Sequence, residues 1–179
     1  MNQSVSQYWQ KVMLQGQQCY QSRKLDDALR LFKIATQVSP NSAEGWVNLG
    51  VIQIETGQPQ DAISSLKRSV DLNPRMMLAH LAMGDALRLT GKLKEAISAF
   101  NKAVALQETP EGLNKLACTL RMVHKPEQAE TLYRKALRMN PNFTLAKVNW
   151  ATVQVDLERF DQADQQLRAL KGTRLSPDE

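Results

Sequence analysis

Small and large apolar residues recur along the chain with a long, nearly constant period. One set of repeat-equivalent positions, called a column here, contains Ala28, Ala62, Ala96, Ala129 and Ala163, which are 34, 34, 33 and 34 residues apart. The same intervals separate the large residues Phe32, Leu66, Phe100, Tyr133 and Leu167. They also separate the small residues Gly16, Gly50, Gly84, Ala117 and Ala151. Because a period of this length is typical of stacked structural units, the pattern predicts about five repeats.

Within each repeat, apolar residues recur at helical spacing and predict two α-helices. In the second repeat, Ser42 is a typical N-cap residue and Gly57 a typical turn residue. Pro59 suits the first turn of a second helix, which Asn73-Pro74 ends. No segment shows sustained alternation of apolar and polar residues, so we predict an all-α fold.

The small residues indicate where the two helices of a repeat come closest. Short side chains let helix backbones approach each other, and large neighbours fill the space beside the crossing. We therefore expect Gly50 to face Ala62, with Leu49 and Leu66 packed beside them.

The repeat register also divides the chain. It predicts an N-terminal extension at 1–8, then repeats at 9–42, 43–76, 77–109, 110–143 and 144–177, the last of them degenerate. The third repeat is one residue short, and the missing residue falls in the connector around 106–110. Residues 176–179 fit a capping box with proline at the first helical position, so 178–179 would begin a truncated capping helix. This favours a longer protein, and a frayed natural tail is the alternative.

The columns resemble the motif of the tetratricopeptide repeat family, whose 34-residue unit carries a Trp-Leu-Gly-Tyr-Ala-Phe-Ala-Pro pattern. The second repeat matches this pattern with Trp46, Leu49, Gly50, Ala62, Leu66 and Pro74. The resemblance extends over about residues 9 to 177. It implies a right-handed α-solenoid of about five helix-turn-helix repeats, with a concave groove lined by the first helix of each repeat.

The resemblance also implies which residues line that groove. They are Val47, Asn48, Val51, Glu55, Leu81, Asp85, Arg88, Asn114, Lys115, Arg121, Val148, Asn149 and Thr152. Apolar side chains on this mixed surface would hold side chains of a peptide, and the amides would hold its backbone. We expect the protein to be an interaction scaffold that binds a peptide or protein segment.

Two groove chemistries known in the family help to choose between possible functions of the scaffold. The carboxylate clamp of some family members is absent, since the required Lys and Asn positions hold other residues. Asn48 and Asn149 lie in the column that forms an asparagine ladder in the superhelix of protein O-linked N-acetylglucosamine transferases. The alternatives are therefore a substrate-recognition module of a larger enzyme, with a glycosyltransferase as the best guess, and an assembly or secretion chaperone.

Composition excludes several other classes of protein. The two cysteines, Cys19 and Cys118, are too few for a disulfide scaffold, and we expect both to be reduced in the cytoplasm. No apolar run approaches the ~18 residues of a membrane helix. No metal-ligand spacing, phosphate loop or nucleophile motif occurs, so we expect no cofactor, no metal and no catalysis by this chain.

Charge adds one further alternative. The net charge of +5 is mild and does not favour nucleic acid as a partner. The fourth repeat concentrates the basic residues Arg121, Lys125, Arg134, Lys135 and Arg138. A solvated helix face explains such a cluster, and a surface for an acidic partner is the alternative. The exposed ends of the repeat array are also candidates for a weak homodimer.

Overall fold

The computed structural model describes the backbone of residues 3–172 and the side chains of residues 3–168. This part of the chain contains ten α-helices and no β-strand, so the predicted all-α class is confirmed. The helices are α1 (Gln3–Gln21), α2 (Leu25–Val38), α3 (Ala43–Glu55), α4 (Pro59–Leu72), α5 (Met77–Leu89), α6 (Leu93–Leu106), α7 (Pro110–Met122), α8 (Pro126–Met139), α9 (Thr144–Asp156) and α10 (Phe160–Gly172). Odd-numbered helices are called first helices below, and even-numbered helices second helices.

The helix ends follow from local chemistry. The Ser42 hydroxyl accepts a hydrogen bond from the backbone N–H of Gly45 at 3.2 Å, which caps α3 as predicted. The Thr109 hydroxyl caps α7 in the same way, accepting from Gly112 at 3.0 Å. Residues 3–8, predicted as an extension, belong to α1. The proposed helix start at 178–179 lies outside the described residues.

Every turn within a helix pair contains a residue in the left-handed backbone region at the same repeat position. Two of the five turns use glycine, with φ of 73° at Gly57 and 76° at Gly91. The other three use Arg23, His124 and Glu158, with φ of 59°, 56° and 58°. Glycine adopts this conformation without a steric cost, whereas the three other residues adopt it with one because they carry a Cβ atom.

Glycine allows the close helix crossing within the first three pairs. A Cβ atom placed on Gly50 would lie 2.4 Å from Cγ of Leu66, and one on Gly84 would lie 2.4 Å from Cε1 of Phe100. The expected crossing is therefore present, and the Leu66 side chain reaches across the helix pair and covers Gly50.

The chain forms two compact units that meet in sequence between Leu106 and Gln107. The first unit contains α1 to α6, and the second contains α7 to α10. This boundary falls in the connector where the sequence lacks one residue. Within each unit, every helix packs against the next one along the chain.

Two hydrophobic clusters show how neighbouring pairs in the first unit share a core. One cluster joins the first pair to the next through Leu49 and Ile52, which pack with Phe32 and its neighbours. The other joins α3 and α4 to α5 and includes Val47 and Leu66. Burial of large apolar side chains between neighbouring pairs is the main source of stability in such stacks.

A hydrogen bond recurs at equivalent positions of the second and third repeats. Nε1 of Trp46 donates to the backbone oxygen of Pro40 at 2.8 Å. His80 occupies the Trp46 column, and its Nε2 lies 2.8 Å from the backbone oxygen of Pro74. Since a carbonyl only accepts, this ring nitrogen carries the proton. His80 is therefore a buried packing residue in the position that tryptophan holds in the second repeat.

Candidate functional site

First helices lie side by side in both units and form what we call the inner face. In the first unit α3 contacts α5, and in the second α7 contacts α9, in addition to the contacts within and between successive pairs. No comparable contact joins α4 to α6 or α8 to α10 within the described residues. The first helices α3 and α5, and likewise α7 and α9, are therefore in contact, and the predicted groove residues all lie on these four helices.

In the first unit, the inner face combines apolar and charged side chains. Val51 and Leu81 are half-buried, and the neighbouring Leu14 and Leu89 are exposed. Val47 differs from the prediction, because it is only 2% exposed. Its side chain packs in the hydrophobic cluster formed with α4 and α5, so Val47 supports the inner face from beneath and does not line it.

Asn48 is half-buried on the same face. Its Nδ2 atom is buried and has no hydrogen-bond acceptor among the described residues. A buried amide donor without an acceptor costs free energy, so this position would gain from a carbonyl brought by a ligand.

Charged residues at the end of this face form ion pairs. Arg88 lies 3.4 Å from Asp85, one turn away on α5. Glu55 lies 3.7 Å from Arg23. Burial and the neighbouring Glu55 carboxylate raise the pKa of Tyr20, with burial as the larger cause. Tyr20 therefore stays neutral and packs against the hydrophobic cluster that includes Phe32.

In the second unit, the inner face contains a hydrogen-bonded network that the sequence did not predict. Nδ2 of Asn149 donates to Oδ1 of Asn114 at 2.9 Å and to Sγ of Cys118 at 3.3 Å. The Tyr133 hydroxyl donates to the same sulfur atom at 3.1 Å. These contacts link α7, α8 and α9.

The network changes the role of two predicted groove residues. Asn114 is only 5% exposed, because Asn149 of the next first helix covers it. Asn114 therefore positions Asn149 and does not itself line the surface. Burial is the main cause that raises the pKa of the Tyr133 hydroxyl, and its contact with Cys118 adds to it. In the sequence, only Tyr133 indicated this network, because it adds a hydroxyl to a column whose other residues are Phe or Leu.

The remaining predicted residues of the second unit lie on or beside its inner face. Arg121 pairs with Asp156 of the next first helix. That hydrogen bond raises the pKa of Arg121. Val148 is 41% exposed, and the hydroxyl of Thr152 donates to its backbone oxygen at 3.0 Å. Lys115 is half-buried.

The basic cluster of the fourth repeat does not form one continuous positive surface. Arg121 lies on the inner face, whereas Lys135 pairs with Glu108. Arg134 lies on α8, where its Nη2 is 2.7 Å from Oε1 of Glu130. Three of the five basic residues are thus partly neutralised by acidic partners within the chain. These ion pairs lower the positive electrostatic potential of the surface around them.

Glu130 is the most buried carboxylate in this region. It receives hydrogen bonds at 3.0 Å from both Nε2 of Gln154 and Nη1 of Arg159, in addition to the pair with Arg134. Burial alone would raise the pKa of Glu130, but the two hydrogen bonds and the charges of Arg134 and Arg159 hold it below its ordinary value. This arrangement ties α8 to α9 and to the start of α10.

The described residues show no group of three His, Cys, Asp or Glu side chains that could hold a metal ion. In the same part of the chain, no helix is both long and apolar enough to cross a membrane. The inner faces of the two units offer apolar side chains, amides and ion pairs.

The architecture is that of a helical-repeat protein built from stacked antiparallel helix pairs. A family model described as tetratricopeptide repeat matches residues 14–68 and 52–112, which together make up more than half of the chain. The chain therefore belongs to the tetratricopeptide repeat family, and the α-solenoid fold class predicted from the columns is confirmed.

Three similar proteins illustrate the relationship. Human protein O-mannosyl-transferase TMTC3 is 26% identical over 141 residues, which are 76% of this chain and 15% of that protein. Peroxisome biogenesis protein 5 of Arabidopsis thaliana is 35% identical over 84 residues, 47% of this chain and 11% of that protein. The structure of MamA 41-end from Desulfovibrio magneticus RS-1 superimposes with a TM-score of 0.85 at 17% identity and covers 98% of both chains. The chain thus spans less than a sixth of these two curated relatives, and the MamA likeness concerns the fold alone.

Proposed function

We propose that this chain is a non-catalytic interaction scaffold that binds a peptide or protein segment on the inner faces of its first helices. One observation carries the proposal. In both units the inner face places half-buried or exposed apolar side chains, Leu81 and Val148 among them, close to the asparagine amides of the same helices. Exposed apolar side chains next to polar groups are typical of binding surfaces.

The accessible part of the predicted groove is the proposed contact surface. It comprises Asn48, Val51, Glu55, Leu81, Asp85, Arg88, Lys115, Arg121, Val148, Asn149 and Thr152. Val47 and Asn114 support it from beneath. Apolar members would accept side chains of the ligand, and the asparagines would bond its backbone, as in other modes of peptide recognition.

The test begins with a peptide selected from a random library displayed on phage against the immobilised protein. We expect Leu81→Ala and Val148→Ala each to weaken binding of that peptide about fivefold or more, because each removes apolar contact area. Ile34→Ala is the matched control, since Ile34 is an exposed aliphatic residue on the second helix α2. Equal affinities for all three variants, with unchanged circular dichroism, would contradict binding at the inner face.

The asparagines are tested separately. We expect the double variant Asn48→Ala and Asn149→Ala to bind the same peptide more weakly without unfolding. The hydrogen bonds from Asn149 to Asn114 and Cys118 make a small loss of stability part of the expected result. Full affinity in the double variant would eliminate a ladder-like role for these amides.

A second candidate function is a substrate-recognition module of a larger glycosyltransferase. It rests on the similarity to a protein named as an O-mannosyl-transferase, together with the two asparagines on the inner faces. The discriminating observation is the open reading frame beyond the codon for Glu179. Several hundred further codons favour the enzyme module, and a stop codon favours the separate scaffold. A cytoplasmic location and a weak homodimer through the repeat ends remain predictions.

A further inference from the structure

The second unit contains a cleft whose lining differs from the groove residues of its inner face. It is formed where α8 meets α9 and has a volume of about 540 Å³. Its lining consists of Thr131, Arg134, Leu137, Arg138 and Trp150. None of these residues belongs to the proposed groove, so the cleft is a separate feature of the surface.

The cleft is positively charged. The guanidinium of Arg134 stacks over the indole of Trp150, with 5.5 Å between the guanidinium carbon and the ring centroid. Arg134 and Arg159 share the single carboxylate of Glu130. Arg138 follows Arg134 by one helical turn and has no ion-pair partner within the described part of the chain. Two arginines thus line the cleft, and one of them, Arg134, shares its carboxylate partner with Arg159.

The cleft also offers apolar surface and an unused donor. Leu137 and the indole of Trp150 are the apolar groups among the lining residues. Nε1 of Trp150 is buried and has no hydrogen-bond acceptor among the described residues. An indole N–H normally finds a partner when it is buried, so this junction contains an unsatisfied donor beside the cleft.

The combination is specific to this repeat. The Trp150 column contains Gln15, Leu49, Met83 and Leu116 elsewhere, and the Arg138 column contains Gln37, Asp71 and Ala105. No other pair of successive repeats therefore places an aromatic ring beside two arginines. Packing of the stack does not require these residue types, since the other repeats form the same junction without them.

We propose that the α8–α9 cleft binds an acidic peptide segment that carries an aromatic or aliphatic side chain beside its carboxylates. The carboxylates would pair with Arg138 and with the outer edge of Arg134, whose planar donors suit a carboxylate. The apolar side chain would pack on Leu137 and Trp150. Charge complementarity selects an acidic occupant, and the apolar lining selects a protein segment over a simple anion.

The test uses the full 179-residue protein and a short fluorescein-labelled peptide with a central Phe flanked by Asp and Glu. A peptide of the same length with Lys in place of the acids is the control probe. The protein has three tryptophans, so its ¹⁵N–¹H spectrum contains three indole signals. The Trp150 signal is identified by its loss in Trp150→Phe. We expect the acidic peptide to shift that signal and the basic peptide to leave it unchanged.

Charge reversal then locates the contact. We expect Arg138→Glu to weaken binding of the acidic peptide about tenfold, because it removes one attraction and adds one repulsion. Lys67→Glu is the matched control: Lys67 occupies the column of Arg134 on α4, is exposed, and undergoes the same change of charge. We expect this control to weaken binding less than twofold. Arg138→Gln provides a second variant that removes the charge without reversing it.

Three results would overturn the proposal. The first is equal weakening by Arg138→Glu and Lys67→Glu, which would indicate only a net-charge effect. The second is an unmoved Trp150 indole signal at saturating acidic peptide. The third is tighter binding of a single-stranded oligonucleotide at the same indole, which would make nucleic acid the occupant. Leu81→Ala is expected to leave binding in the cleft unchanged, so failure of the groove proposal and failure of this one are distinguishable.

Discussion

At the scale of single residues, the fold depends on side-chain size at the crossing of each helix pair. Gly16, Gly50 and Gly84 leave no space for a Cβ atom, because a large residue of the second helix covers each of them. The alanines that recur on the second helices are fully buried, including Ala62 and Ala96. Interiors packed to this density tolerate neither loss nor addition of volume without a cost.

Ala96→Leu tests this packing. Ala96 is completely buried on α6, so we expect the larger side chain to lower the free energy of unfolding by about 1–3 kcal/mol. The melting temperature should then fall by several degrees. The control is Ala105→Leu, the same substitution at an exposed position of the same helix. Thermal denaturation followed by circular dichroism compares the two, and equal curves for both variants would refute the close crossing.

At the scale of elements, Glu130 illustrates how one side chain can hold three helices. It lies on α8 and receives hydrogen bonds from Gln154 on α9 and Arg159 beside α10. Hydrogen bonds to a charged group contribute about 1.5–3 kcal/mol each to stability. The partners also explain why the carboxylate is ionised despite its burial.

We expect Glu130→Gln to change the pH dependence of the free energy of unfolding. The pKa of Glu130 in the folded protein lies below its ordinary value of 4.5. The ionised carboxylate therefore stabilises the folded state above that ordinary value, and the contribution disappears as the pH falls through the lowered pKa. We expect Glu130→Gln to lose about 1–3 kcal/mol at pH 7 and to approach the wild-type stability in acid.

Urea denaturation between pH 7 and pH 3 measures this difference. Asp164→Asn is the matched control, since Asp164 pairs with Arg168 at a distance of 2.7 Å but is largely exposed. Exposed pairs contribute little, so the control curve should follow the wild type throughout. A constant gap between Glu130→Gln and wild type over the whole pH range would mean that the carboxylate does not act through its charge.

At the scale of the whole molecule, the periodic columns predicted the helices and the position of the short connector. They did not predict the exposure of individual inner-face residues. Val47 and Asn114 share a column with the exposed Val148, yet both are buried. Val47 is covered by α5 and Asn114 by Asn149 of α9, so exposure depends on the side chains of the next repeat.

The network around Cys118 escaped prediction for the same reason. Asn149 follows Cys118 by 31 residues and Asn114 by 35. Periodicity aligns such residues in columns but does not determine whether two side chains have the length and the donors to meet. The α8–α9 cleft likewise depends on Trp150 and two arginines that meet only after the helices pack.

The division into two units predicts how a local perturbation spreads. In repeat arrays each unit contacts only its neighbours, so local unfolding is coupled most strongly between adjacent elements. Ala96 lies in the first unit, which ends at Leu106. We expect Ala96→Leu to accelerate amide hydrogen exchange in α4, α5 and α6 and to leave α9 and α10 close to wild type. Hydrogen exchange followed by mass spectrometry resolves these segments, with Ala105→Leu again as the control. Equal acceleration in α9 and α6 would show that the chain opens as one cooperative block, because only global unfolding exposes distant helices together.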